Sequence, residues 1–112
     1  MTVSEAIAWL DDKKPNGYSR EDKTAWIREV EFMAEKLRAR YGDPEEGAGE
    51  ELSLPPPYDG AYLRYMEAQI DYCNGEYGKF NNAIELFNTL WQSYAAFYCR
   101  THPAKAVRAR YF

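Results

Sequence analysis

The chain has 112 residues, a formal net charge of −4 and 46% hydrophobic residues. This size and composition are typical of one compact domain and argue against disorder throughout the chain. No apolar stretch approaches the about 20 residues that a membrane-spanning helix requires, and the N-terminus lacks the basic head and apolar run of a signal peptide. We therefore expect one domain in the cytosol, with no membrane partner.

Charged and aromatic residues are unevenly distributed. Residues 1–57 carry 13 acidic and 8 basic side chains, whereas residues 58–112 carry 5 and 6. Thirteen of the 18 aromatic residues lie in residues 58–112. An acidic body with a basic end favours docking to a protein over binding of nucleic acid, which usually requires a basic face.

Two amphipathic helices are predicted in the first half of the chain. Thr2 and Glu5 have the spacing of a capping box and precede a short helix over about residues 4–13. Ser19 begins a second helix of about 22 residues, which Gly42 ends. Its apolar stripe comprises Trp26, Val30, Met33, Leu37 and Tyr41. Phe32 lies off this stripe, and the pattern leaves open whether it faces a third element or another subunit.

The stretch 43–57 has no helical periodicity. Five acids are followed by Leu52, Leu54 and three consecutive prolines, a composition that favours an extended polyproline conformation. The ordered oxygen ligands and closing glutamate of a calcium-binding loop are absent. We expect a solvated, mobile loop.

A third helix is predicted after Asp59, which can cap it. Its core stripe comprises Leu63, Met66, Ile70 and Cys73, while Tyr62, Tyr65 and Tyr72 spread around the remaining surface. Asn74-Gly75 ends it.

A fourth helix of about 22 residues follows the short link 76–78 and ends at His102-Pro103. Its apolar stripe recurs every three or four residues at Phe80, Ile84, Phe87, Trp91, Tyr94 and Tyr98. So short a link predicts an antiparallel hairpin with the third helix. Leu86, Leu90 and Phe97 form a second apolar face, which must also be covered.

The resulting expectation is an all-α, four-helix domain over residues 1–103, with a long C-terminal hairpin and an acidic, proline-rich loop. Residues 104–112 are too short to fold alone and too aromatic for a solubilising tail, so we interpret them as a docking tail.

The sequence offers little for catalysis or metal binding. His102 is the only histidine and lies beside a proline, so no nucleophilic triad is indicated. Cys73 and Cys99 have no CxxC spacing and are expected to be reduced thiols in or beside the core. Gly75, Gly78 and Lys79 do not fit a phosphate-binding loop. We therefore expect no enzyme activity, cofactor or metal.

The aromatic surplus points to protein interaction, because tyrosine and tryptophan are enriched at interfaces. The alternative is that a small core uses aromatic side chains to fill volume. The candidate interaction residues are Tyr62, Tyr65, Tyr72, Leu86, Leu90, Phe97, Arg108, Arg110, Tyr111 and Phe112. A weaker alternative is nucleic-acid binding, with Arg100, Lys105, Arg108 and Arg110 on phosphates and Tyr111 and Phe112 stacking on bases.

A resemblance to known proteins lies in the segments 5–6, 14–16, 18–19, 56–59, 62–72, 74–77, 80–82 and 86–88, in Tyr98 with residues 100–103, and in the Arg110-Tyr111-Phe112 ending. Through these segments, most of the chain outside the acidic loop resembles a family of small proteins encoded in tailed phages and prophages of Firmicutes. Such proteins are similar to the helical head-tail connectors that build a ring beneath the portal.

The resemblance implies a non-enzymatic structural protein of the virion neck, present in the host cytoplasm during assembly. Its partners would be the portal protein, neighbouring copies of itself and a stopper or tail protein, without sequence-specific binding to nucleic acid. The alternative is a small phage-encoded regulator that binds a single host or phage protein through the same aromatic surface.

Overall fold

The structure is a computed structural model that describes residues 1–42 and 51–101. It contains four helices: α1 Val3–Lys13, α2 Arg20–Arg40, α3 Gly60–Cys73 and α4 Tyr77–Thr101. Within the described ranges there is no strand, only one isolated antiparallel bridge between Thr2 and Glu51. The expected all-α four-helix domain is confirmed. Residues 104–112 and most of the acidic stretch lie outside the described residues.

Local capping signals fix where the first two helices begin. The Thr2 side chain accepts a hydrogen bond from the Glu5 N–H at 3.1 Å, and the Glu5 carboxylate accepts one from the Thr2 N–H at 2.9 Å. Ser19 caps α2 by accepting from the Asp22 N–H at 3.1 Å. These bonds satisfy backbone donors that have no partner within the helix, so both predicted helix starts are confirmed.

The chain enters α3 differently from the prediction. The Tyr58 N–H donates to the Pro55 carbonyl at 2.8 Å, so the proline run turns instead of extending. Asp59 occupies the N-cap position with helical dihedral angles, and its side chain makes no capping hydrogen bond. The turn therefore positions the start of α3, and the predicted Asp59 cap is wrong.

The central helix is α3, which packs against all three others, whereas α4 packs on α3 and touches α1 and α2 only marginally. The pairing of α3 and α4 is antiparallel, because Tyr72 contacts Phe80 with ring centroids 5.4 Å apart and Tyr65 contacts Phe87 at 5.0 Å. Gly75 reverses the chain between them with φ of +77°, a conformation that glycine adopts without strain. The predicted helical hairpin is confirmed.

The buried face of α2 is rotated slightly from the predicted stripe. Ile27 and Ala34 are fully buried beside Val30, while Met33 is only half-buried. Apolar residues spaced three and four positions apart locate the buried face of a helix only to within about one residue, which explains the difference. Phe32 is 56% exposed, and the Lys36 ammonium group of the same helix lies over its ring.

Ion pairs join the first three helices. Lys23 Nζ lies 2.6 Å from Asp11 Oδ1, which connects α2 to α1. Lys14 Nζ lies 2.7 Å from Asp71 Oδ1, which connects the end of α1 to α3. Asp71 is buried, and the lysine approaches it as an ion pair and not along a well-directed hydrogen bond.

Residues 51–54 are anchored, contrary to the expectation of a solvated, mobile loop over the whole stretch. Leu52 and Leu54 are buried in the core, and the Leu52 N–H donates to the Met1 carbonyl at 2.9 Å. The Met1 amino group also lies 3.1 Å from the Glu51 carboxylate, which raises the pKa of that amino group. Burial of the Leu52 and Leu54 side chains holds this segment on the core, although the residues around it in the sequence are polar.

Candidate protein-interaction surface

Tyr62 lies in the core and does not reach the surface. Its side chain is 0% exposed, so the expectation that it belongs to an interaction surface is wrong. Its hydroxyl donates to the Glu31 carboxylate and accepts from the Leu54 N–H at 3.0 Å. Burial and the neighbouring Glu31 carboxylate raise the pKa of Tyr62 far above its usual value. A tyrosine can be buried in this way because both functions of its hydroxyl are satisfied.

Glu31 organises a polar network around Tyr62. The Glu31 carboxylate also accepts a hydrogen bond from the Ser53 hydroxyl at 2.7 Å and lies 3.3 Å from the Ser53 N–H. The network therefore attaches residues 53 and 54 to α2 and α3 together. The role of this network is structural, because its hydrogen-bond donors and acceptors are bonded to one another.

Tyr65 is partly buried between α2 and α4. Its hydroxyl donates to Glu29 at 2.6 Å, and its ring packs against Phe87. Burial, followed by the hydrogen bond to Glu29, raises the pKa of Tyr65 to about 12. This predicted interaction residue is therefore only partly accessible to a partner.

Tyr72 belongs to an exposed group of rings at the turn of the hairpin. Tyr72 is 55% exposed and Tyr77 is 60% exposed, and their ring centroids lie 5.8 Å apart. Phe80 completes the group through its contact with Tyr72. We call Tyr72, Tyr77 and Phe80 the hairpin-end cluster. Tyr77 was not among the predicted interaction residues, because the sequence pattern placed it in the link before the helix.

The second apolar face of α4 is covered at two of its three positions. Leu86 is 47% exposed, whereas Leu90 and Phe97 are partly buried. The Cδ1 atom of Leu90 lies beside Gly60, 3.6 Å from where a Cβ atom would stand, so the start of α3 packs against α4 at this point. Phe97 packs on Tyr58 with ring centroids 5.3 Å apart. The turn before α3 therefore supplies cover that helix patterns alone do not reveal.

The outward side of α4 is polar but almost uncharged. Between residues 80 and 99, Glu85 is the only charged side chain. We call the exposed residues on this side the α4 outer face: Asn81, Asn82, Glu85, Asn88, Thr89, Gln92, Ser93, Ala96 and Cys99. Amide and hydroxyl groups cost much less to remove from water than ionised groups, so this face can be covered by another protein at low cost.

The other predicted features fall on several parts of the molecule. Cys73 and Cys99 are both exposed, so their expected place in or beside the core is wrong. Cys73 is the last residue of α3, where fewer elements are available to cover a side chain. His102 lies outside the described residues, as do the predicted tail residues Arg108, Arg110, Tyr111 and Phe112 and the alternative phosphate contact Lys105.

A charged cleft lies between the end of α1 and the hairpin. Its volume is about 260 Å³, and its lining includes the Lys14–Asp71 ion pair, Arg64 and Lys79. Arg64 pairs with Glu67 at 3.0 Å, and Lys79 lies 3.4 Å from Glu76. These charges are already compensated within the fold, so the cleft presents no surplus charge aimed at a ligand.

Within residues 1–42 and 51–101, no three His, Cys, Asp or Glu side chains converge as a metal-binding group. No helix in the described part of the chain is long and apolar enough to cross a membrane.

Comparisons with protein-family models, curated proteins and solved structures gave no match. The resemblance to phage connectors is therefore untested by them, and the geometry of the described residues is the basis for the function proposed next.

Proposed function

We propose that this chain is a non-enzymatic structural protein of a tailed-phage virion: a head-tail connector whose copies form a ring at the portal. It would assemble in the host cytoplasm and remain in the virion neck, in contact with the portal and with a stopper or tail protein. The sequence resemblance supports the phage origin, and the surface of α4 supports the assembly.

The observation that carries the proposal is the one-sided packing of α4. This helix of 25 residues rests on α3 and touches α1 and α2 only marginally, so its outer face has no covering element among the described residues. The outward side of a helix in water carries polar or charged residues, and charged residues make up about 25–35% of a typical soluble surface. The cores of protein interfaces are instead depleted in charged residues, as is the α4 outer face.

Side-by-side packing of copies would cover this face. A ring requires each copy to present two different surfaces to its two neighbours, because a closed ring is built from head-to-tail contacts. The α4 outer face would supply one of these surfaces, with exposed Leu86 at its flank as an apolar anchor. The hairpin-end cluster would lie at one end of the subunit and contact the protein above or below the ring.

The test combines purified portal protein with this protein and examines the complex by electron microscopy. The key variant carries Gln92→Glu and Ala96→Lys, two exposed positions one helical turn apart on the α4 outer face. It leaves net charge unchanged, and the new pair stabilises an isolated helix by about 0.2–0.5 kcal/mol. Assembly would nevertheless require removing two new charges from water. We expect a ring with the wild-type chain and none with this variant.

The matched control is Ala25→Lys, at an exposed position of α2 four residues after Glu21. This variant adds a charge to a helix that is already charged, so it should assemble as the wild-type chain does. Circular dichroism should give the same helix content for all three proteins. A ring formed equally well by the Gln92→Glu/Ala96→Lys variant would exclude the α4 outer face as the interface.

The second candidate function is a phage-encoded regulator that binds one host or phage protein. The hairpin-end cluster favours it, because two of its rings are more than half exposed at a single end of the molecule, as suits one partner. Absence of any ring at the portal with the wild-type chain would favour this function over the connector.

A further inference from the structure

An open groove separates α2 from α4. Both helices pack on α3 but touch each other only marginally, so a space of about 190 Å³ remains between them. We call it the α2–α4 groove. It is lined by Met33, Lys36, Leu37, Arg40, Trp91 and Ala95. It lies on the flank of α4 and is distinct from the α4 outer face and the hairpin-end cluster.

The interior of the groove is apolar. Leu37 forms a buried wall, and Met33, Trp91 and Ala95 are each partly exposed within it. Tryptophan is enriched among the residues that contribute most to protein binding, and methionine is flexible enough to adapt to an inserted apolar group. The space is large enough to accept one leucine or phenylalanine side chain.

The rim of the groove is positively charged. Lys36 and Arg40 are exposed and lie one helical turn apart, and none of the described residues that line the groove is acidic. Lys36 Nζ lies 4.8 Å from the centre of the exposed Phe32 ring, which extends the apolar and basic patch along α2. This local positive charge contrasts with the net charge of −4 of the whole chain.

We propose that the α2–α4 groove binds an acidic amphipathic segment of a partner protein, with one apolar side chain between Met33 and Trp91 and carboxylates against Lys36 and Arg40. Charge complementarity selects this occupant. The acidic stretch of a second copy, residues 43–51, has no large apolar side chain to insert. Residues 104–112 have such side chains but are basic, so the rim would repel them.

The test uses two synthetic helical peptides. One has leucines one turn apart flanked by glutamates, and the other has lysines in place of the glutamates. We expect the glutamate peptide to bind, as measured by fluorescence anisotropy of a labelled peptide, and the lysine peptide not to bind. The indole N–H resonance of Trp91 should shift on binding, whereas those of Trp9 and Trp26 should not.

Two variants and one control sharpen the test. Lys36→Glu with Arg40→Glu should weaken binding at least about tenfold, since it replaces two attractive contacts by repulsive ones. Ala95→Trp should abolish binding by filling the groove without changing charge. The control, Lys13→Glu with Lys79→Glu, makes the same change in net charge at exposed positions outside the groove.

The control should bind as the wild-type chain does. Equal weakening in the control, equal binding of the lysine peptide, a shift at Trp9 instead of Trp91 or no binding of the glutamate peptide would each overturn the proposal. Failure to form a ring at the portal would leave it unaffected, because the α4 outer face is not part of the groove.

Discussion

The two long helices, α2 and α4, differ in how much charge they expose to water. Eleven of the 21 residues of α2 are charged, compared with three of the 25 residues of α4. The attachments differ in the same way. Lys23 of α2 pairs with Asp11, and Glu31 of α2 binds Tyr62, whereas α4 packs on α3 through aromatic rings such as Phe87.

This difference in charge indicates how costly it would be to cover each helix with another protein. Covering the charged side of α2 would remove many ionised groups from water, which is costly unless each finds a partner. Covering the α4 outer face would remove mainly amides and hydroxyls, which can form new hydrogen bonds with a neighbour. Helix α2 is therefore suited to remain in water, except along the apolar α2–α4 groove. The α4 outer face is the one that another protein could cover at low cost.

The largest expected effect on stability comes from the aromatic attachment of α4. Phe87 is buried and contacts Tyr65 across the hairpin. Phe87→Ala should lower the free energy of unfolding by about 3–5 kcal/mol, because it removes buried apolar area and leaves a cavity. Urea denaturation followed by circular dichroism measures this loss. A loss below about 1 kcal/mol would mean that α4 is held mainly by something other than this packing.

The next effect tests the polar attachment of the first three helices. Lys14→Ala leaves the buried carboxylate of Asp71 without its counter-ion. Breaking a buried ion pair lowers the free energy of unfolding by about 3–5 kcal/mol. We expect a loss of about 2–3 kcal/mol here, because the Lys14 side chain remains 25% exposed. The same denaturation experiment measures it.

The matched control for Lys14→Ala is Lys79→Ala. Lys79 pairs with Glu76 at 3.4 Å on the surface, where such pairs contribute about 0–1 kcal/mol. Equal losses for the two variants would show that burial of Asp71 does not make its ion pair special.

A third prediction compares two tyrosines of α3. Tyr62→Phe removes a buried hydroxyl that serves both Glu31 and the Leu54 N–H, and it should cost about 1–3 kcal/mol. Tyr72→Phe removes an exposed hydroxyl and should change stability by less than about 0.5 kcal/mol. Thermal unfolding of the two variants beside the wild-type chain distinguishes them, and a smaller loss for Tyr62→Phe would contradict the role of the Glu31 network.

These two tyrosines also mark how far the sequence predicts this molecule. Helix starts at Thr2 and Ser19 are predictable, because a cap depends on residues within one turn. The burial of Tyr62 and the exposure of Tyr72 are not, because they depend on which elements pack over each residue, and Glu31, the partner of the Tyr62 hydroxyl, is distant in sequence. The alternation of Leu52 and Leu54 within a polar stretch was a usable signal for an anchored segment.

The candidate surface was predictable only in part. The exposure of Tyr72 and Leu86 agrees with their expected place in an interaction surface, although their binding role stays a prediction. The near absence of charge between residues 80 and 99 is visible in the sequence, but its orientation needed the fold. The groove could not be predicted, since it forms where Met33 and Trp91 meet from separate helices.

The smallest expected effect is a change of stability with pH, and it concerns the hydrogen bond by which Tyr65 attaches α3 to Glu29 of α2. Burial and Glu29 raise the pKa of Tyr65 to about 12, whereas tyrosine in an unfolded chain titrates near pH 10. The folded state thus holds the proton more tightly, and its stabilising contribution is complete below about pH 10 and is lost as the pH rises towards 12. Tyr65→Phe lacks this titration but keeps the ring contact with Phe87.

The difference in unfolding free energy between the wild-type chain and Tyr65→Phe should therefore shrink as the pH rises through this range. Urea denaturation at a series of alkaline pH values measures it, and subtraction cancels the titration of the other tyrosines. A difference that stays constant with pH would mean that folding does not raise the pKa of Tyr65, so that neither its burial nor its bond to Glu29 favours the protonated side chain in the folded state.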